Sequence, residues 1–267
     1  KFGIAHHQVI PAYRRAQALG IQRFGLHTML VSNERNHASL VQTAEMLLEL
    51  ARQLFQELGI RVELVNIGGG LGIPYHPDES PLDLQAVAEG VRRAFRRFEF
   101  EMGFMPRLNM ESGRYVTGTH GVLVTRAINR KETYRTYIGV DANMSALMRP
   151  GMYGAYHHID VVPRDAQNRP PEIVDVVGAL CENNDKFAIQ RELPRIKNGD
   201  LLVIHDAGAH GRSMGFNYNG RLRPKELLLR SDGTVALIRR EETLKDYFAT
   251  LDFKPDVFTP TTSTSRQ

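Results

Sequence analysis

The 267-residue sequence has no tryptophan and a single cysteine, Cys181. One thiol excludes an internal disulfide and suits a reducing compartment, so a cytoplasmic location is expected. No apolar run approaches the length of a membrane span, and no basic–apolar–small-residue leader opens the chain. Nothing therefore points to a membrane or to secretion. Lysine is scarce: Lys1, Lys131, Lys186, Lys197, Lys225, Lys245 and Lys254 are the only lysines among 34 basic residues, and the rest are arginine. The formal net charge is +4. Arg92, Arg93, Arg96 and Arg97 cluster on one expected helix, which would suit nucleic acid. However, Glu89, Glu99 and Glu101 are interleaved with them, and no zinc-ligand or helix-turn-helix pattern appears. A solvated, salt-bridged helix face is the better reading, with no nucleic-acid partner expected. Arginine suits planar carboxylates and phosphates, so small anionic ligands remain open.

What is present falls into two textures. "KFGIA", "RFGLHTMLV", "RVELVNI" and "PRLNME" read as strands. Between them run helical patterns. One passes through Tyr13 and Ala16 and stops at Gly20. A second covers residues 37–58, with Leu40, Ala44, Leu47, Leu48, Ala51, Leu54, Phe55 and Leu58 on one face and Gly59 as its C-cap. A third begins after Asp83, a plausible N-cap, and carries Leu84, Val87, Val91, Phe95, Phe98 and Met102. Strand–helix alternation of this length predicts parallel strands with crossover helices. That leaves an open doubly wound sheet or a (β/α)8 barrel, and four strands are too few to close a barrel. After about residue 117 the strands shorten: "GVLVTRAI", "TYRTYIGVD", "DLLVIHD", "ELLLR" and "TVALIRR". Asn198-Gly199 and Asp232-Gly233 supply turns, so residues 118–250 predict an antiparallel β-domain after a barrel-like domain over 1–117. A short helix is expected over 241–248 and a loose tail over 251–267.

The stretch "LVNIGGGLGIPY" places Gly68, Gly69, Gly70 and Gly72 directly after a strand. Bare backbone N–H groups at a parallel strand's C-terminal end can wrap an anion, usually a phosphate. Two phosphate motifs fail: no Gly-Lys-Ser/Thr follows, and Ile73 breaks G-x-G-x-x-G. Taken alone, a tight strand-end turn with no ligand is as good a reading.

Downstream, "MESGRYVTG", "MRPGMYGAYH", "VVGALCENND" and "GDLLVIHDAGAHGRSMGFNYN" follow in that order. With "GGGLGIPY" this series resembles the pyridoxal-phosphate-dependent decarboxylases of the alanine-racemase-like barrel fold, over residues 1 to about 250. Within that family the resemblance is strongest to the diaminopimelate decarboxylases. It implies a (β/α)8 barrel carrying pyridoxal 5'-phosphate, a β-domain, and a homodimer whose subunits share active sites. It further implies that Gly68, Gly69 and Gly70 cradle the phosphate and that Glu111 bonds the pyridine nitrogen, keeping the ring an electron sink. Ser112, Gly113 and Arg114 match the family's Glu-Pro-Gly-Arg except that serine replaces proline. Arg114 would close on phosphate or substrate carboxylate. Ser32 matches a phosphate contact.

The same resemblance makes Cys181 the group that returns a proton to carbon across the dimer interface, a thiol being able to give up and recover a proton near neutrality. Glu182 would grip the substrate's distal amino group, and Arg149 with Tyr153 its distal carboxylate. The substrate so implied is the amino acid meso-diaminopimelate, and the product lysine. A sister decarboxylase for ornithine or lysine, and a non-catalytic binding relative, are the alternatives. No metal is implied. Three departures stand out. Met29 occupies a position where the family commonly has histidine, and His210 one where it usually has tyrosine, with Tyr218 a possible substitute. The lysine that carries the family's cofactor has no counterpart here. The sequence is thus expected to be a C-terminal portion of a longer enzyme, lacking the first barrel strands and inactive alone.

Overall fold

The computed structural model describes residues 1–252. The expected loose tail lies, apart from residues 251–252, outside the described residues. Contacts divide the chain into two compact units, Lys1–Gly215 and one beginning at Phe216.

The first unit opens with α1 (Val9–Ala18), β1 (Gly25–His27), α2 (His37–Leu58), β2 (Leu64–Asn66), α3 (Leu84–Met102) and β3 (Arg107–Asn109). The three strands pair in parallel in the order β1-β2-β3, with Gly25 opposite Leu64 and Leu64 opposite Arg107. The fold class is as expected from the alternation: parallel strands connected through helices, then a β-domain. Local chemistry sets the helix ends. The Asn36 side chain accepts the Ala38 N–H at 3.0 Å, and Asp83 accepts that of Ala86 at 2.9 Å, each satisfying one of the donors a helix N-terminus leaves open. Gly59 and Gly103 close α2 and α3 at φ 68° and 72°, conformations that cost a side-chain-bearing residue. Leu40, Leu47 and Leu54 of α2 share one buried cluster with Val65 of β2 and with Val91 and Phe98 of α3. On the arginine-rich face of α3, Arg97 bonds Glu101 at 2.9 Å, a salt-bridged surface as anticipated.

Two expectations need correction here. "KFGIA" forms no strand: residues 1–5 are exposed, and pairing with no neighbour leaves a strand-like pattern nothing to stabilise it. The pattern "RFGLHTMLV" supplies only three residues of β1. Its second half leaves the sheet as a loop across the strand ends.

After α4 (Gly113–Thr117), a six-stranded sheet forms from β4 (Leu123–Glu132), β5 (Thr136–Val140), β6 (Ile159–Val162), β7 (Pro171–Val177), β8 (Lys186–Pro194) and β9 (Leu201–Ile204), with α5 (Arg149–Tyr153) between β5 and β6. Its order is β6-β9-β4-β5-β7-β8. The sheet is not purely antiparallel, because β5 and β7 pair in parallel, with Tyr137 opposite Asp175. A long connection through α5 and β6 separates the two, which is what a parallel neighbour requires. Strands β6, β7 and β8 were not legible in the sequence. The register shifts twice between β7 and β8, and Gln190 sits at φ 45°, so the in–out alternation that marks a strand is broken. Ala127, Ile138, Val176, Phe187 and Leu202 are among the buried cluster of this sheet.

The second unit contains the hairpin of β10 (Glu226–Leu229) and β11 (Val235–Arg239), turned at Asp232-Gly233 with Gly233 at φ 82°. The short helix α6 (Leu244–Tyr247) follows, opened by a capping box between Thr243 and Asp246.

Candidate functional site

The C-terminal ends of β1, β2 and β3 lie side by side, so the loops leaving them converge, and ligands of parallel sheets bind at such ends. The glycines answer to this convergence. A Cβ on Gly68 would meet the Thr28 carbonyl, one on Gly69 the Glu111 carbonyl, and one on Gly70 the Val31 oxygen at 2.6 Å. Gly68 and Gly70 also sit at φ 73° and 93°. Backbone thus packs on backbone, and the Glu111 N–H donates to the Gly68 carbonyl at 2.8 Å. The amides themselves are largely engaged. The Gly68 N–H donates to Asn66 Oδ1 at 2.9 Å and the Gly69 N–H to the Met29 sulfur at 3.1 Å. Met29 therefore closes over the glycine turn, where its thioether acts as an acceptor.

Glu111 leaves β3 toward the same face. Asn66 Nδ2 donates to its Oε1 at 2.8 Å, and His27 Nε2 lies 3.5 Å from that oxygen. One residue from the end of each strand thus meets at this carboxylate. Ser112 precedes α4, and its Oγ is buried with no partner. Gly113 and Arg114 begin α4. Arg114 Nη2 reaches Ser32 Oγ at 3.5 Å, bringing together two residues that are far apart in sequence.

Arg114 belongs to a cationic cluster around Tyr75. Its guanidinium lies 5.9 Å from the Tyr75 ring centroid, and that of Arg149 lies 4.5 Å from the same ring. Arg149 is 7 % exposed. Among the described residues, neither arginine forms an ion pair with a carboxylate. Burial lowers the Arg149 pKa, and its positive neighbour Arg114 lowers it further. Arg149 Nη1 donates to His157 Nε2 at 2.7 Å, and His157 Nδ1 bonds the His205 carbonyl at 2.7 Å. Arginine can only donate, so His157 carries its proton on Nδ1 and stays neutral. Burial pushes its pKa down to about 4. His210, at φ 59°, is pushed down by burial and by Arg114 and Arg149, and its Nδ1 is buried without a partner. Asp206 is coupled electrostatically to Arg149 and Tyr75, with burial raising its carboxyl above the usual range.

The expected residues Ser32, Gly68, Gly69, Gly70, Glu111, Ser112, Gly113 and Arg114 are thus gathered at one set of strand ends, with Arg149 and His210 linked to them through Arg114. Tyr153 lies one turn beyond Arg149 on α5 and is 63 % exposed. Cys181 is exposed on the loop 178–185 together with Glu182. Asp185 ties this loop down by accepting the Met144 and Leu180 N–H groups at 2.7 and 2.8 Å. A Cβ on Gly151 of α5 would strike the Asn184 carbonyl, so the loop packs against the helix that carries Arg149. Beside the loop, Glu182, Asp185, Lys131, Lys186 and Tyr137 help to line a cavity of about 560 Å³. Sequence reasoning passed over Tyr75 and His157, although each stands at the end of a quoted motif, "GGGLGIPY" and "MRPGMYGAYH".

The donor set fits a phosphate-bearing ring. Two guanidiniums without a carboxylate partner and three buried polar atoms lacking partners, on Tyr75, Ser112 and His210, are the polar groups available to such a ligand.

Comparison with known proteins agrees. The family described as "Pyridoxal-dependent decarboxylase, C-terminal sheet domain" matches residues 39–208. Protein TabA of Pseudomonas amygdali pv. tabaci is 51 % identical over 98 % of this chain and 61 % of its own length. The diaminopimelate decarboxylase of Methanothermobacter thermautotrophicus is 40 % identical over 92 % of this chain and 57 % of its own length. Among solved structures, diaminopimelate decarboxylase from M. jannaschii, also solved in complex with L-lysine, superposes with a TM-score of 0.84 at 35 % identity. That match covers 96 % of this chain and 58 % of the other. The chain spans about three fifths of the length of these relatives.

Proposed function

This chain belongs to the pyridoxal-dependent decarboxylases, and from that premise we propose that it supplies most of the active-site wall of an enzyme converting meso-diaminopimelate to lysine. The observation that carries this reading is the pair of buried or half-buried arginines, Arg114 and Arg149, facing one tyrosine ring, with Arg114 following closely on Glu111 in the chain. Bound pyridoxal phosphate supplies the electron sink that loss of carbon dioxide requires. Glu111, oriented by Asn66, holds a proton on the pyridine nitrogen, since a carboxylate beside that nitrogen favours its charged form. Ser32, Ser112, Gly113 and His210 hold the phosphate beside the turn at Gly68, Gly69 and Gly70, and Arg114 closes on the phosphate or on the substrate carboxylate.

Arg149 and Tyr153 take the substrate's distal carboxylate, which distinguishes a diamino diacid from a simple diamine or its parent amino acid. Cys181 returns a proton to the carbon that loses carbon dioxide, and Glu182 binds the distal ammonium. Both act at the site of a second copy of the chain in a homodimer. Exposure of Cys181 and its ordered loop support that assignment. Met29 and His210 favour a second reading, a related amino acid as substrate, because they depart from the family pattern at the site itself.

The test is carbon dioxide release from meso-diaminopimelate, with lysine and ornithine as controls, by this chain co-expressed with the portion of a diaminopimelate decarboxylase that it does not span. Turnover of meso-diaminopimelate alone supports the reading. Turnover of lysine or ornithine instead would remove the role given to Arg149.

A further inference from the structure

Tyr75 has a chemistry that the glycine motif beside it does not explain. The residue is 7 % exposed, yet its hydroxyl has no hydrogen-bond partner. A buried hydroxyl without a partner costs about 1–3 kcal/mol relative to one that is satisfied, so a framework role alone would favour phenylalanine here. The ring lies beneath two guanidiniums, Arg149 at 4.5 Å and Arg114 at 5.9 Å, and edge-on to His157 at 5.2 Å and 71°. A cation over an aromatic face contributes to packing, but the hydroxyl adds nothing to that contact. Burial holds the Tyr75 pKa above its usual value, so the group is a donor throughout the physiological range. Arg149 cannot turn away to relieve the crowding of like charge, because His157 fixes its Nη1 at 2.7 Å. The Asp206 carboxylate acts on both Tyr75 and Arg149 but leaves the Tyr75 hydroxyl unbonded, so an oxyanion among the two cations and the donor would satisfy all three at once.

We propose that the Tyr75 hydroxyl donates a hydrogen bond to an oxyanion held by Arg114 and Arg149, making Tyr75 a further ligand-binding residue of this site. The anion is a carboxylate or a phosphate. The proposal rests on the functional reading only in that this site takes such a ligand. It does not require the chain to decarboxylate anything.

The experiment compares the 267-residue chain with Y75F, without ligand and with inorganic phosphate, pyridoxal phosphate or meso-diaminopimelate, by thermal denaturation and calorimetric titration. Removing the hydroxyl should raise the Tm of the ligand-free chain by roughly 2–6 °C, because an unsatisfied donor disappears. It should also weaken anion binding about tenfold or more, as loss of a hydrogen bond to a charged group does. Loss confined to phosphate and pyridoxal phosphate identifies a phosphate. Loss confined to meso-diaminopimelate identifies a carboxylate. A purely structural hydroxyl cannot give this pairing of higher stability with lower affinity. Unchanged affinities, a Y75F chain that is less stable or fails to fold, or a parent chain that binds none of the three would each overturn the proposal. Decarboxylase activity does not enter any of these outcomes, so failure here and failure of the enzymatic reading are separable.

Discussion

Arg149 and His157 are joined by a 2.7 Å hydrogen bond inside the fold, with His157 fully buried and itself anchored to the His205 carbonyl. Arg149 is thereby pointed at the Tyr75 ring by a neutral imidazole and not by a carboxylate, which keeps the guanidinium's charge available for a ligand. His157→Phe removes the acceptor and leaves a buried guanidinium partly unsatisfied. A loss of about 1–3 kcal/mol in urea unfolding is expected, with a smaller loss for His157→Gln, whose amide oxygen can still accept.

The same imidazole makes stability depend on pH. Its pKa is about 4 in the folded chain against 6.5 in the unfolded one, so the unfolded state binds more protons between those values. Stability is therefore fully present above about pH 6.5 and is lost as pH falls toward 4, by about 3 kcal/mol at most from this group. Unfolding free energies measured at pH 7.5, 6, 5 and 4 should follow that sense. The slope should flatten in His157→Gln, and an unchanged slope in that variant would assign the titration elsewhere.

The loop that carries Cys181 depends on Asp185, whose two carboxylate oxygens accept the N–H groups of Met144 and Leu180. Asp185→Ala should leave both amides without their acceptor and cost about 2–3 kcal/mol. Limited proteolysis should then cut within 178–185 faster than in the parent chain. Equal cutting rates would contradict the role given to Asp185.

The glycines separate into those pressed by backbone and those in open space. Gly69→Ala drives a methyl group into the Glu111 carbonyl, whereas Gly113→Ala meets nothing within 4 Å and lies at ordinary φ. The first should lower the Tm by several degrees, and the second should change it little or raise it slightly, since alanine favours helix. Thermal melts of the two variants side by side check this contrast.

Much of the fold was legible because it rests on local chemistry. The apolar face of α2, the cap at Asp83 and the glycine end at Gly59 leave direct marks in sequence. Strands β6, β7 and β8 left none: bulges break the alternation of β7 and β8, and the four-residue β6 is decided by its distant partner β9. At the site, the motif residues were found as a resemblance and were then brought together by the strand ends. Tyr75 and His157 were missed for a different reason: a lone tyrosine or histidine carries no pattern. Only burial shows that one hydroxyl lacks a partner and one imidazole holds an arginine. The Met29 sulfur accepting the Gly69 N–H is likewise a contact of tertiary structure alone.

The position of a bound pyridoxal phosphate ring tests the proposed site most directly. A crystal structure of the protein loaded with that cofactor is predicted to place the pyridine nitrogen about 2.6–3.2 Å from the Glu111 carboxylate, with the phosphate against Arg114 and the glycine turn at 68–70. A ring bound elsewhere, or a Glu111 carboxylate that remains on Asn66 and His27 and makes no contact with the ring, would contradict it.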